Sequence, residues 1–137
     1  MKIVLDTNVL VSGLLNPYGA PGQIVQMLAA GAVVLCFDAR ILGEYREVLM
    51  RPAFRFPAGQ IDALLEQIRA VGEPVSPEPC RQRLPDPDDE PFLEAAIAGG
   101  AAYLVTGNLK HYPVRRRQGV ALTTPAQFVG ILQGGSR

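Results

Sequence analysis

The sequence predicts an α/β protein of three layers, with a central, mostly parallel sheet of four to five strands between helices. Three observations carry this. Short apolar runs recur at residues 2–5, 32–37, 103–105 and 120–122. These runs are apolar throughout instead of alternating with polar residues, which marks strands covered on both faces. Between them lie longer stretches whose apolar residues return every three or four positions, the spacing of a helix with one buried face.

The first run stops at Asp6-Thr7-Asn8, which are cap and turn residues. A helix is expected over 9–15, broken by Asn16-Pro17-Tyr18-Gly19. Residues 22–30 form the next, with Ile24, Val25 and Leu28 on one face. After the second strand, Asp38 is placed to cap a helix in which Ile41, Leu42, Tyr45, Val48 and Leu49 recur, and Arg51-Pro52 ends it. Residues 58–71 repeat the pattern with Ile61, Leu64, Leu65 and Ile68. Residues 73–87 are rich in proline and read as an extended connection, which closes on the acidic run Asp86-Pro87-Asp88-Asp89-Glu90. A helix over 91–98 turns Phe92, Ala95 and Ala96 inward. Pro91 is tolerated in its first turn, where no intrahelical N–H is needed, and Gly99-Gly100 stops it. The third strand runs into Thr106-Gly107-Asn108, and Thr124-Pro125 opens a last helix to Leu132. Without an internal repeat or boundary, a single domain over 1–133 is expected, with 134–137 as a frayed tail.

Bulk properties narrow the function classes. Hydrophobic residues make up 48% of 137, enough for a real core. Thirteen basic residues balance 13 acidic ones, so nothing favours a broad electrostatic coating of nucleic acid, although a local basic patch is compatible. Near-zero charge also weakens the repulsion that opposes self-association. Cys36 and Cys80 form no CxxC pair and stand far in sequence from His111, which argues against zinc. Cys36 reads as a buried free thiol, so a reducing cytoplasm fits. No signal peptide is visible, and no apolar run approaches the roughly 18 residues of a membrane span.

Parallel α/β sheets bind ligands beyond the carboxyl ends of their strands. Asp6 ends the first strand and Asn108 follows the third, so both face one crevice. Glu44 lies about two turns into the helix after the second strand, in an apolar setting beside Gly43. Asp89 sits where the acidic run becomes a helix, an end that tolerates negative charge. Converging carboxylates repel each other and take up protons unless a cation intervenes. Mg²⁺ or Mn²⁺, both oxygen-seeking, resolve that conflict, and such an ion can activate water against a phosphodiester. Taken singly, Asp6 is equally a cap, Glu44 a solvated helix residue, the acidic run a capped loop and Asn108 a turn residue. Their common location selects the joint reading. His111 either assists proton transfer or lies at the surface. Lys110 with Arg115, Arg116 and Arg117 forms a basic cluster suited to RNA phosphates, or a solvated loop.

Four ordered motifs carry a family resemblance. Ile3-Val4-Leu5-Asp6-Thr7-Asn8-Val9-Leu10 is similar to the hydrophobic–Asp-Thr-Asn opening of the PIN domain (PilT N-terminus) family, and Glu44 falls at its second acid. Leu84-Pro85-Asp86-Pro87-Asp88-Asp89 resembles the DPDD motif of one subgroup, and Leu104-Val105-Thr106-Gly107-Asn108 its V-T-x-[D/N] motif. Leu109-Lys110-His111-Tyr112 and Thr124-Pro125-Ala126-Gln127-Phe128 fit that subgroup too. The resemblance implies a VapC-like toxin of a type II toxin–antitoxin pair. Such a toxin is a homodimeric ribonuclease that cuts single-stranded RNA and is inhibited by an antitoxin protein. Asp6, Glu44 and Asp89 would be its Mg²⁺ or Mn²⁺ ligands, Asn108 a fourth catalytic position, and Asn8 and Thr106 supports. Whether Asp86 or Asp88 assists Asp89 stays open. Two departures stand out: Asn108 replaces an acid common in relatives, and Glu90-Pro91 follows the DPDD motif. A binding module without activity and a small-molecule phosphatase are the competing classes. The second lacks a Gly-rich phosphate loop.

Overall fold

In the computed structural model, which describes residues 1–134, the first apolar run becomes the centre of the sheet. β1 (Lys2–Leu5) pairs in parallel with β2 (Val34–Phe37) on one side and with β4 (Tyr103–Val105) on the other. β3 (Glu73–Pro74) and β5 (Leu122–Thr123) complete the order β3-β2-β1-β4-β5, and every pairing is parallel. Ile3, Val4 and Leu5 are wholly buried, as a central strand covered on both faces requires. The chain leaves β1 toward β2 and leaves β4 toward β5, in opposite directions. Adjacent strands with diverging exits open a crevice at their carboxyl ends. The fold therefore places its binding position just beyond Leu5 and Val105.

Among the described residues, six helices cover the sheet: α1 (Thr7–Leu15), α2 (Ala20–Ala29), α3 (Ala39–Leu49), α4 (Ala58–Val71), α5 (Glu90–Gly99) and α6 (Pro125–Leu132). α5 packs on β1, β2 and β4. α4 packs on β2 and meets α2, which in turn meets α6. Right-handed crossovers put α5, on the return from β3 to β4, opposite the helices of the outbound half. α1 and α2 approach closely through glycine: a Cβ on Gly13 would stand 2.7 Å from the Pro21 carbonyl oxygen.

Several boundaries differ from expectation for local reasons. α1 begins at Thr7 because the Asp6 carbonyl, not its side chain, accepts from Val9 N–H and Leu10 N–H. α2 begins at Ala20, β2 only at Val34, and α5 at Glu90 after a 3₁₀ turn over Pro87–Asp89. β3 was not foreseen. It lies inside the proline-rich connection, and Pro74 is compatible with a strand only because this one is an edge. β5 lies two residues later than the apolar run 120–122 suggests. Val25, Val48 and Leu64 are only partly buried and pack on the core from its margin. The caps at Asp38 and Thr124 form as read. Asp38 accepts from Ile41 N–H, and Thr124 with Gln127 makes a reciprocal capping box. Gly134, where the tail was expected to begin, still donates to the Ile131 carbonyl, and residues 135–137 lie outside the described residues.

The connection from β3 to α5 matters most, because it delivers Asp86–Asp89 to the crevice. Two buried glutamates of α5 fasten it. Glu94 accepts from Cys80 N–H at 2.9 Å and from Arg40 Nη1 at 2.7 Å, which also ties α5 to the start of α3. Glu90 accepts from Leu84 N–H at 3.0 Å and from Arg83 Nη1 at 3.1 Å. Glu94→Ala would strand the Cys80 N–H and free Arg40. The expected cost is about 1–3 kcal/mol of unfolding free energy, read as a lower urea midpoint at unchanged slope. An unchanged midpoint would mean that the connection is held elsewhere.

Candidate metal centre and nucleic-acid cleft

Asp6 continues β1 by donating its N–H to the Val105 carbonyl at 3.0 Å, so its position is fixed by the sheet. Its side chain is 6% exposed and makes no helix cap. Instead Asp6 Oδ2 accepts from Thr106 Oγ1 at 2.8 Å. Thr106 is fully buried just past β4, and its hydroxyl oxygen also accepts from Asn108 N–H at 3.0 Å. A hydroxyl has one proton to give. Here it goes to Asp6, and the Asn108 amide fixes the rotor.

Glu44 comes from α3. Tyr45, its neighbour, is fully buried and donates its hydroxyl to the Leu5 carbonyl, which locks α3 to the end of β1. Glu44 Oε2 accepts from the buried Thr7 hydroxyl. Asp89 ends the 3₁₀ turn before α5, and Asp86 caps that turn by accepting from Asp88 N–H. Asp89 Oδ2 is buried. His111 Nδ1 lies 3.0 Å away, yet the oxygen has no hydrogen bond of acceptable geometry. Two polar atoms at this spot are thus left wanting a partner, Asp89 Oδ2 and the hydroxyl of the fully buried Tyr112.

Asp6, Glu44, Asp86, Asp88 and Asp89 line one open cleft of about 240 Å³, together with Asn8, Arg51 and His111. Removal from water holds the three inner acids above the usual carboxylate range. For Asp6, burial outweighs the opposing hydrogen bond from Thr106 and the N–H groups of Thr7 and Asn8. For Glu44, burial is joined by Asp6 and Asp88, against the hydrogen bond from Thr7. Asp89 is pushed up to about 6, first by burial and then by Asp6, with His111 pulling the other way. Burial first, and then the same acids, raise the Tyr112 phenol. Oxygen-only donors, mutual repulsion and an unsatisfied buried oxygen fit a hard divalent cation. Asp6, Glu44 and Asp89 are the residues that would hold it.

Other gatherings fit less well. Cys80, Glu90 and Glu94 also bring ligand-type atoms together, but their carboxylates are spent on the connection described above. A larger groove of about 330 Å³ runs between α3 and α4, and an Arg46–Asp62 ion pair stands in its lining. Gly43 faces that groove and not the acids.

The remaining expected residues divide. Asn8 lines the cleft. Asn108 is exposed and outside the cleft lining, and it acts on Thr106 through its backbone. Lys110 is exposed beside His111 in the 3₁₀ turn Leu109–His111. Arg115 is exposed, whereas Arg116 donates to the Arg83 carbonyl at 3.0 Å and Arg117 is half-buried with its Nε unpartnered. The basic row is therefore partly used in folding. Sequence reasoning missed Thr7, Tyr112 and Arg51. Arg51 had a signal: Glu44, Val48 and Arg51 are spaced i, i+4 and i+7 in sequence, and all three line the cleft although Arg51 lies just past the end of α3.

Two outcomes follow for the metal-free protein. A folded-state value near 6 against an ordinary 3.8 means that folding favours protonated Asp89. That stabilisation is complete below about 3.8 and is lost as pH rises through about 6. Thermal melts should show wild type losing stability across pH 6 relative to Asp89→Asn, and saturating Mn²⁺ should reverse the trend, since proton and cation compete for one oxygen. An identical pH trend in Asp89→Asn would remove Asp89 as its source. Thr106→Val keeps the volume and deletes the hydroxyl, so divalent binding by calorimetry should weaken about 10–100-fold. Undiminished affinity would mean that Asp6 needs no such support.

Comparisons with known proteins bear on the family and the fold. The PIN domain family model matches residues 2–110. An uncharacterized protein of Methanocaldococcus jannaschii, MJ1680, is 30% identical over 111 residues, covering 79% of this chain and 71% of its own. Among solved structures, that of VapBC2 from Rickettsia felis, bound to a DNA fragment from its promoter, superposes with a TM-score of 0.56 at 17% identity. The superposition covers 90% of this chain and 98% of that one, and it shows a shared fold. The chain belongs to the PIN domain family.

Proposed function

We propose that this chain is a divalent-metal-dependent endoribonuclease that cuts single-stranded RNA, with Asp6, Glu44 and Asp89 as ligands for Mg²⁺ or Mn²⁺. The observation that carries the reading is the convergence of those three acids in one open cleft, Asp6 and Asp89 buried and Glu44 half-buried, with all three raised and Asp89 Oδ2 lacking a well-aligned hydrogen bond. When bound, the cation supplies the Lewis acidity that lets water react with a phosphodiester near neutral pH. The chain supplies the rest. Thr106 and Thr7 aim the Asp6 and Glu44 oxygens, and His111 is placed to hold or pass a proton at Asp89 Oδ2. Asp86 and Asp88 add negative charge at the wall, Asp86 as the cap that shapes the turn carrying Asp89. Asn108 contributes through its amide to Thr106. Lys110 and Arg115, both exposed, are the outer RNA contacts, while Arg116 is held by the Arg83 carbonyl and Arg117 is half-buried.

The partner follows the same line. The Rickettsia felis neighbour is a VapBC pair on promoter DNA. By analogy of fold alone, this chain is read as the toxin of a toxin–antitoxin pair, homodimeric and cytoplasmic. Two free cysteines are in keeping with a reducing compartment. No helix among the described residues is long and apolar enough to cross a membrane.

The test is cleavage of an end-labelled unstructured RNA, with single-stranded DNA alongside. Wild type should cut RNA with Mn²⁺ or Mg²⁺, fall silent in EDTA, and lose cleavage in Asp6→Asn. Cutting that survives both treatments would defeat the metal-centre reading. Wild type that binds RNA and never cuts it would favour a binding module.

A further inference from the structure

The cleft poses an electrostatic problem of its own. Its lining carries Asp6, Glu44, Asp86, Asp88 and Asp89, and the proposed substrate is a polyanion. Two to four positive charges from bound metal answer only part of that. Among the described residues, Arg51 is the one arginine in the cleft lining, and it stands just past the end of α3. Its N–H donates to the Val48 carbonyl at 3.2 Å, so its backbone is pinned as the chain turns into Pro52. Its guanidinium is not pinned. Its ion pair among the described residues is with Glu47 at 3.7 Å, and the two side chains are 57% and 72% exposed.

Other arginines are committed. Arg40 meets both Asp38 and Glu94 at 2.7 Å, Arg46 pairs with Asp62, and Arg83 and Arg116 hold the connection before α5. A loosely held guanidinium on a residue that lines the acidic cleft is poised for a ligand with two oxygens in a plane, which is the geometry of a phosphate edge. A helix C-terminus also favours the cation there.

We infer that Arg51 is a phosphate-positioning residue: its guanidinium grips a non-bridging phosphate of single-stranded RNA at the mouth of the acidic cleft and holds the strand against the field of the carboxylates. The inference rests on the nuclease reading for its substrate class, but its contact is made without metal and is tested without metal. It adds a phosphate contact at the end of α3, nearer the acids than the outer contacts proposed for Lys110 and Arg115.

The experiment is fluorescence anisotropy with a labelled unstructured oligoribonucleotide in EDTA, repeated over a series of salt concentrations. Arg51→Gln should weaken binding by about tenfold, the loss of one charge-assisted contact. It should also lower the slope of log affinity against log salt by about 0.7, the value for one phosphate of a single strand. Arg51→Lys should restore the slope and only part of the affinity, because it keeps the charge and loses the fork. Arg69→Gln, at an exposed arginine on α4 outside the cleft, should change neither. In Mn²⁺, Arg51→Gln should raise KM for cleavage more than it lowers kcat. Unchanged affinity and slope in Arg51→Gln would overturn the assignment while leaving the nuclease reading intact, as would an equal loss in Arg69→Gln. Wild type that binds through Arg51 and never cleaves with any divalent ion would leave the contact standing and sink the nuclease. A wild-type chain with no affinity for RNA at low salt would end both.

Discussion

The structure turns on one constraint: a carboxylate is kept from water at the carboxyl end of the central strand. Asp6 is 6% exposed, and burial of an ionised group is costly unless something compensates. Much of the surrounding architecture acts as that compensation. The sheet fixes the Asp6 backbone through Val105, the Thr106 hydroxyl spends its only proton on Oδ2, and two amides at the start of α1 point their positive ends toward it. These devices do not bring the acid back to its ordinary range. The deficit is shared with Glu44 and Asp89, so the cleft holds charge that the folded chain alone does not satisfy.

That deficit explains why the supports are themselves so firmly held. Thr7 and Thr106 are buried, Tyr45 is tied to the end of β1, and the loop bringing Asp89 is fastened by two buried glutamates with arginine and backbone partners. A repelling cluster pushes its members apart unless the scaffold is stiff. Here stiffness comes from short polar links made at element ends and not from a larger apolar core. The site is consequently a feature of the fold as a whole, since β1, β4, α3 and the connection before α5 each deliver one part.

Much of this was legible in the sequence. Uniformly apolar runs gave the parallel sheet, and the residues that stop those runs gave Asp6 and the Thr106–Asn108 turn. Bounds such as α4 over Ala58–Val71 and β4 over Tyr103–Val105 followed from periodicity. What was illegible was the use of polar residues in three dimensions. Two residues of β3, one of them proline, leave no periodic trace. Glu90 and Glu94 look like ordinary first-turn and solvent-side acids until the connection folds over them. Arg115–Arg117 look like a free basic run because sequence does not show that Arg116 reaches back to the Arg83 carbonyl. Arg51 had the right spacing from Glu44, but its place in the cleft lining is visible only in the structure, where Arg40, Arg46, Arg83 and Arg116 are occupied elsewhere.

Asn108 shows how far a residue's position and its role can separate. On the strand-end argument it should face the acids with its side chain, and an amide there would weaken a cation site relative to an acid. The structure routes its influence through the backbone instead, into the Thr106 hydroxyl and from there to Asp6. An N–H does not depend on side-chain identity, so this route is indifferent to the exchange of acid for amide. It does depend on the turn at Gly107, which brings the amide back to within 3.0 Å of the hydroxyl two residues earlier. The exchange of acid for amide on this exposed side chain, outside the cleft lining, therefore leaves the inner cluster and its five carboxylates as they are.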